Sequence, residues 1–322
     1  MLPLITLEEH FLSEAVANSP AAAKLGMDKF PPALKSKLMS LSDERLQDMK
    51  DGNISLQLVS HNPAVCYEPD VCRKANDEIY QGCQNHKSSF AGLAILPMAD
   101  PVAAADELTR CIKELGFVGA LITNHANGRF YDDESYYPFW ERAQELNVPI
   151  YLHPTNASDD MMPLFNGNYS AKVTEILSTF GWGWHADTGL HLMKLFCSGT
   201  FDRFPNLKVV IGHNGEMVPC MLQRQSDFFD QMVPMKRNLV EVWNSNIWVT
   251  TSGMFTIPPF LTLMHTTKID RIMYSVDYPF CSNKEGLKFM EDLQKSGLLS
   301  EEQFEQVAYR NAENLFNVKV KQ

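Results

Sequence analysis

The sequence has no CxxC pair, no internal repeat and no low-complexity tract. Its seven cysteines stand singly, an odd and unclustered set that fits reduced thiols in a cytosolic protein better than a zinc knuckle or a disulfide framework. No apolar run approaches the roughly 18 residues of a membrane span. The first residues lack the basic stretch and long apolar core of a signal peptide. A cytoplasmic location with no membrane partner is therefore expected. Basic residues are also in deficit, 28 Lys and Arg against 39 Asp and Glu, for a net charge of -11. That balance argues against a nucleic-acid partner, which needs a positive surface. No GxGxxG turn follows the first apolar segment, so a doubly wound dinucleotide fold lacks its signature.

What is present is ordinary globular material: 322 residues, 45% hydrophobic and 21% charged. Eight apolar, β-rich segments recur along the chain: LITLEEH (4–10), ISLQLVSHN (54–62), FAGLAILPM (90–98), GALITNHA (119–126), PIYLHP (149–154), KVVIGH (208–213), IWVTTSG (247–253) and IMYSVDYP (272–279). Near-continuous apolar runs suit parallel strands buried on both faces. Helical patterns separate them. In "DPVAAADELTRCIKELG", Asp100 can cap, Pro101 fits a first helical position and Gly116 can close the helix. The alternation predicts an α/β chain folded as a (β/α)8, TIM-like barrel, one domain over residues 1–322. Residues 12–53 and 155–207 are too long for simple connectors. They predict loop insertions after strands 1 and 5, with Pro31–Pro32 and "MMPLF" (161–165) as lid elements.

Several of these strands end in groups that a core does not tolerate. Strand 1 ends Glu8-Glu9-His10, strand 5 ends in His153, strand 6 in His213 and strand 8 in Asp277. In a barrel these ends converge on one rim. Side chains alternate along a strand, so Glu8 and His10 share a side and Glu9 points away, which leaves Glu9 a structural role. Glu8, His10, His153 and Asp277 could then surround one ion. Two imidazoles and two carboxylates suit Zn²⁺ and also Mn²⁺. In "GHNGE", Glu216 can orient the His213 imidazole and raise its basicity, which makes His213 a general base or acid. Arg224, two helical turns on, could reach a substrate anion or Glu216. His61, His125 and His191 could approach the rim, whereas His86, His185 and His265 read as surface or packing residues.

The ordered segments "LEEHF", "FYDDESYYPFWERAQELNVPIYLHP", "GTFDRFPNLKVVIGHNGE", "SVDYPF" and "NAENLF" resemble the metal-dependent amidohydrolase superfamily. Within it, the chain is similar to the non-oxidative decarboxylase branch, which includes aminocarboxymuconate-semialdehyde and dihydroxybenzoate decarboxylases. The resemblance implies metal ligation by Glu8, His10, His153 and Asp277, and a catalytic His213 supported by Glu216. It also suggests that Arg224 and Phe280 line or support the pocket; by position beside the metal, Asp277 could deliver a proton to carbon, with His213 as the rival donor. One divalent metal is implied, Zn first with Mn or Mg admissible, and no organic cofactor. The substrate would be a small aromatic carboxylic acid, and the assembly a homodimer or homotetramer. The implied reaction is decarboxylation of an ortho-hydroxybenzoic acid to a phenol and CO2; the alternative is a hydrolase or lactonase on the same barrel. The chain departs from the branch at Asn214, in "GHNGE" for "GHLGE", and at Asn124, in "ALITN" for "ALVND". "GALITNHA" holds no Lys to bridge two metals, which favours a mononuclear site.

Overall fold

The computed structural model describes residues 2–26, 30–63, 67–233 and 235–320. Eight parallel strands follow one another in sequence order around a single sheet: β1 Leu4–Phe11, β2 Ile54–His61, β3 Phe90–Ala94, β4 Gly119–Thr123, β5 Ile150–His153, β6 Val209–Ile211, β7 Ile247–Thr250 and β8 Ile272–Met273. The sheet curls until the segment after β8 meets β1. There Glu9 and Tyr278 form a parallel bridge, and the His10 N–H donates to the Tyr278 carbonyl at 2.7 Å. The arrangement is consistent with a TIM-like barrel.

Two apolar layers hold it. Ile5, Leu7, Leu56, Leu58, Leu93, Leu121, Tyr151, Val210 and Met273 fill the inside, closed at one end by Ala312, Leu315 and Phe316. The alternate side chains, such as Leu4, Val59, Ile150, Leu152 and Val209, face outward into the helices. This is the period-2 division expected of strands buried on both faces. Helices form where the patterns place them. Asp100 accepts from the Val102 and Ala103 N–H groups at the head of the Pro101–Lys113 helix, and Gly116 takes a φ of 70° just beyond its end. Between β1 and β2 lie short helices including Pro32–Leu38 and Asp43–Asp51; between β5 and β6 lie Met162–Phe165, Ala171–Ser178 and Gly183–Cys197.

One irregularity decides where the charged end of β1 points. Thr6 pairs with Gln57 and Glu9 with Val59, so three steps along β1 match two along β2. That extra residue is a β-bulge, which shifts the side-chain phase. Ile5 and Leu7 face inward before it. Strict alternation would then turn Glu9 inward and Glu8 outward. Beyond the bulge the phase reverses, and Glu8 and His10 join the inner cluster.

Candidate active site

Each side chain at the strand ends is held by its own neighbours. Glu8 is fully buried, and its Oε2 accepts a short hydrogen bond from the Tyr151 hydroxyl, which also contacts Thr250 Oγ1 at 2.7 Å. Tyr151 stands two residues before His153 on β5, so both point inward. Gly212 permits this packing: a Cβ there would lie 2.7 Å from Glu8 Oε2 and 3.0 Å from the Tyr151 hydroxyl. The other oxygen, Glu8 Oε1, is buried without an aligned hydrogen-bond donor, although His153 Nε2 stands 2.9 Å away. His153 Nδ1 faces the Pro154 carbonyl at 2.6 Å, so this nitrogen carries the proton and Nε2 keeps its lone pair. Two electron-rich atoms thus face each other in a dry space. His10 Nε2 lies 3.1 Å from Asp277 Oδ1. Asp277 adopts a φ of 70°, an unusual backbone for a non-glycine residue that clusters at functional sites.

Glu8, His10, His153 and Asp277 offer ligand atoms that all lie within 4.8 Å of one another. Their charges conflict without a cation. Burial, and then the Glu8 carboxylate, push the Asp277 carboxyl up. Burial would raise Glu8 as well, but His213, His153 and His10 around it outweigh that and hold it low. Burial pushes His10 down to about 4, so it stays neutral and keeps a nitrogen lone pair at neutral pH. A dication relieves both the orphaned Glu8 Oε1 and the carboxylate repulsion, so the donor set fits a divalent metal with mixed nitrogen and oxygen ligands.

Beside this set stands a second one. His213 Nδ1 is 2.7 Å from Glu216 Oε1, and His213 Nε2 is 3.6 Å from Glu8 Oε1. Burial opposes charge on His213, but Glu216 and Glu8 outweigh it and lift the imidazole to about 10. Burial likewise opposes charge on Glu216, yet His213 and His185 hold it down at about 2. The pair is a charge-assisted hydrogen bond next to the ion-binding cluster, an arrangement able to accept or hold a proton.

Six of the sequence-expected side chains therefore meet: Glu8, His10, His153, Asp277, His213 and Glu216. Phe280 sits at the edge, 43% exposed, with its ring 5.6 Å from that of His10. Arg224 does not join them. It is exposed on the Leu222–Met232 helix with its guanidinium 4.8 Å over the Phe228 ring, and among the described contacts none ties it to Glu216. Glu9 points away from the cluster as expected. It accepts from Gln57 Nε2 at 3.0 Å, from Ser275 Oγ at 3.3 Å and from the Val276 N–H at 3.2 Å, beside the buried Arg45. His61 is occupied with Ser13, and His191 with Asn124 and the Tyr131 N–H. Asn214 donates to the Met254 carbonyl at 3.3 Å.

Two residues of the site are not assigned to it by the sequence reading. Tyr151 carries a usable signal, since its spacing of two from His153 on one strand puts both on one face. His185, read as a surface or packing residue, in fact faces Glu216 Oε2 at 2.7 Å through Nδ1. No local pattern announces it.

Comparisons with known proteins agree with this fold. The chain is 49% identical over 329 residues to decarboxylase orsB of Emericella nidulans, covering 99% of this chain and 98% of the relative. It is 34% identical to gamma-resorcylate decarboxylase of a Polaromonas species, covering 98% of each. Among solved structures, dihydroxybenzoic acid decarboxylase from Polaromonas sp., with bound manganese and the inhibitor 2-nitroresorcinol, superposes with a TM-score of 0.88 at 34% identity, over 98% of this chain and 97% of that one. 2,6-Dihydroxybenzoate decarboxylase complexed with 2,6-dihydroxybenzoate gives 0.87 at 29% identity, over 99% and 100%. The family described as amidohydrolase matches residues 32–318. Fold, inward-facing donors and kinship coincide, and the chain belongs to the amidohydrolase family.

Proposed function

We propose that this chain is a metal-dependent carboxy-lyase that converts an ortho-hydroxybenzoic acid, such as 2,3- or 2,6-dihydroxybenzoate, salicylate or 6-methylsalicylate, to a phenol and CO2. The observation that carries the reading is the adjacency of the two clusters, with His213 Nε2 only 3.6 Å from Glu8 Oε1. An acid held by the first cluster presents its ortho-hydroxyl to the second. The relatives named above are decarboxylases, two of them of dihydroxybenzoates.

Glu8, His10, His153 and Asp277 would hold one divalent ion. By ligand chemistry Zn²⁺ is our first assignment, ahead of Mn²⁺, which the Polaromonas structure contains, and Mg²⁺. When bound, the ion supplies Lewis-acid polarisation of the acid's oxygens and lowers the hydroxyl pKa. The protein residues do the rest. Direct loss of CO2 would leave an aryl carbanion in the ring plane, where it cannot delocalise. Protonating the carboxyl-bearing carbon first avoids this, because the ortho oxygen feeds electrons into the ring. Once the charge of Glu8 is spent on the ion, His213 sheds its extra proton, and its Nε2, with Nδ1 tied to Glu216, accepts the hydroxyl proton. Asp277 gives a proton to the carbon. The carbon–carbon bond then breaks, its electrons restore the aromatic ring, and CO2 leaves. His213 returns its proton to the phenolate oxygen and Asp277 is reprotonated from solvent, so each carboxylate turned over consumes one proton. Phe280 forms a wall of the pocket. Arg224, exposed beside Phe228, has no place among these contacts within one chain.

We further assign residues 1–322 to one domain and segments 12–53 and 155–207 to insertions over the mouth of the barrel. The setting we propose is a cytoplasmic homodimer or homotetramer. The exposed apolar residues Phe180, Trp182, Phe228 and Met232 support an interface of that kind.

The test is CO2 release from metal-analysed protein given the four acids, with a chelator-treated control. Metal-dependent CO2 from at least one acid is expected. No CO2 at full metal occupancy would overturn the reading in favour of the hydrolase alternative, with esters and lactones as the next substrates. Turnover by Asp277→Asn at full metal occupancy would move the carbon-protonating role to His213.

A further inference from the structure

Glu216 is buried and its two oxygens face two different imidazoles at the same distance: His213 Nδ1 at 2.7 Å on Oε1 and His185 Nδ1 at 2.7 Å on Oε2. The His185 ring is itself fixed, because its Nε2 faces the Phe180 carbonyl at 3.2 Å. A carboxylate gripped at both oxygens cannot turn without losing both contacts. His185 contributes nothing directly to the ion-binding cluster or to the reacting atoms as described above. Its place is behind Glu216.

The backbone beneath Glu216 makes that grip matter. His213, Asn214, Gly215, Glu216 and Met217 have φ values of 50°, 53°, 95°, 51° and 65°. Four of these five are not glycine, and such a strained backbone persists only where its surroundings over-determine it. A turn of this kind has no regular hydrogen-bond ladder to aim its side chains. The Gly183–Cys197 helix supplies the missing constraint twice. Gly189 lets that helix come so close that a Cβ there would lie 2.6 Å from the Glu216 carbonyl oxygen. His185, one turn earlier on the same helix, reaches the Glu216 carboxylate.

We propose that His185 is a positioning residue: it clamps Glu216 so that Oε1 faces His213 Nδ1, which keeps the proton on Nδ1 and the Nε2 lone pair toward the substrate. This inference rests on the decarboxylase reading for its kinetic consequence, but its structural content does not. Outer partners of a catalytic imidazole or ligand are worth roughly 10- to 100-fold when removed. Losing the clamp lets Glu216 rotate and His213 sample the wrong tautomer. Substrate binding, governed by the neighbouring cluster, stays as it was.

The experiment compares wild type, His185→Leu and His185→Asn in the Zn-loaded protein, with metal content and thermal unfolding measured for each. Asn is chosen because its amide N–H₂ can occupy the place of Nδ1. Expected are a fall in kcat of roughly 10- to 100-fold for His185→Leu with KM nearly unchanged, wild-type metal content, and substantial recovery of kcat in His185→Asn. A His185→Leu variant with wild-type kcat overturns the proposal, as does a folded His185→Asn as impaired as His185→Leu. Should His185→Leu fail to fold, kcat and the tautomer in His185→Asn decide alone: near-wild-type values support the clamp and a mixed His213 tautomer overturns it. Nitrogen-15 shifts of the histidine rings, taken without substrate, separate this question from the reaction assignment. They are expected to show Nδ1-protonated His213 in wild type and His185→Asn, and a mixture in His185→Leu. Identical His213 signals in all three would overturn the clamp whichever acid the enzyme consumes, and absent CO2 release from wild type would overturn the reaction while leaving the clamp to be judged by the ring signals.

Discussion

Tyr151 and Gly212 show how much of the site depends on residues outside the four donors and the His213–Glu216 pair. The Tyr151 hydroxyl takes Glu8 Oε2 and so dedicates Oε1 to the inner cluster. Burial, and then the adjacent Glu8 carboxylate, push the Tyr151 phenol well above its ordinary range, so it remains a donor at any physiological pH. Tyr151→Phe keeps the ring and removes only that hydrogen bond. Divalent-metal affinity is expected to fall roughly 10- to 100-fold, read by competition with a chromogenic chelator; an unchanged affinity would mean Glu8 needs no such support. Gly212→Ala is a sharper test of packing, because the new methyl would overlap Glu8 Oε2 at 2.7 Å. Both oxygens there are buried and fixed, so the backbone would have to shift. Loss of stoichiometric metal binding is expected, and a variant that binds one full equivalent would contradict the close approach.

At the scale of the strand, Glu8 and Glu9 are neighbours with opposite work. Glu9 joins β1 to the chain beyond β8 through Ser275 and the Val276 N–H. Burial lifts its carboxyl from 4.5 to about 8, against the pull of Arg45. An acid raised in the folded state contributes stability that is complete below its unfolded pKa and is lost as pH rises through the folded value. Wild type is therefore expected to lose stability relative to Glu9→Gln between about pH 5 and pH 8, measured by urea unfolding of the metal-free protein. Parallel pH trends in the two proteins would assign the proton elsewhere. The same strand shows what a sequence can and cannot say. All eight strands are legible, because strands buried on both faces read as continuous apolar runs. The charged ends are legible because Glu8, His10, His153 and Asp277 break those runs at corresponding places. The strand limits are less so: IMYSVDYP keeps strand composition to Pro279, but the regular ladder with β7 stops at Met273, since the Tyr274 N–H turns to the Val307 carbonyl and the Ser275 N–H to Thr251 Oγ1. The bulge in β1 leaves no mark in the residue pattern. Nor does the approach of His185 to Glu216, which is set by helix packing across 31 residues.

Across the whole molecule, ion binding and folding are coupled. The four donors come from β1, β5 and the segment after β8, so an ion held by them ties the two edges of the sheet to its opposite wall. Anything that binds only the folded chain stabilises it by mass action, about 2.7 kcal/mol when free metal exceeds Kd a hundredfold. A chelator-treated sample is expected to unfold several degrees lower in a thermal scan, and an identical midpoint would argue that no ion occupies this cluster. The exposed rings of Trp182 and Phe228 and the side chain of Met232, which is 74% exposed, belong to the same scale. For the proposed homo-oligomer, Met232→Lys together with Phe228→Lys is expected to shift the sedimentation coefficient toward that of a single chain, and an unaltered value would count against an interface on this face.

The single extra residue in β1 acts as a reading frame for two chemically identical acids. Were the same residues to run on in strict alternation, the frame would slip by one: the acid that staples the seam would turn into the pocket, and the acid of the pocket would be spent on the seam. A chain lengthened by one residue between Gln57 and Val59 would let β1 run straight, keep every functional side chain in its composition and still address the wrong one to each post.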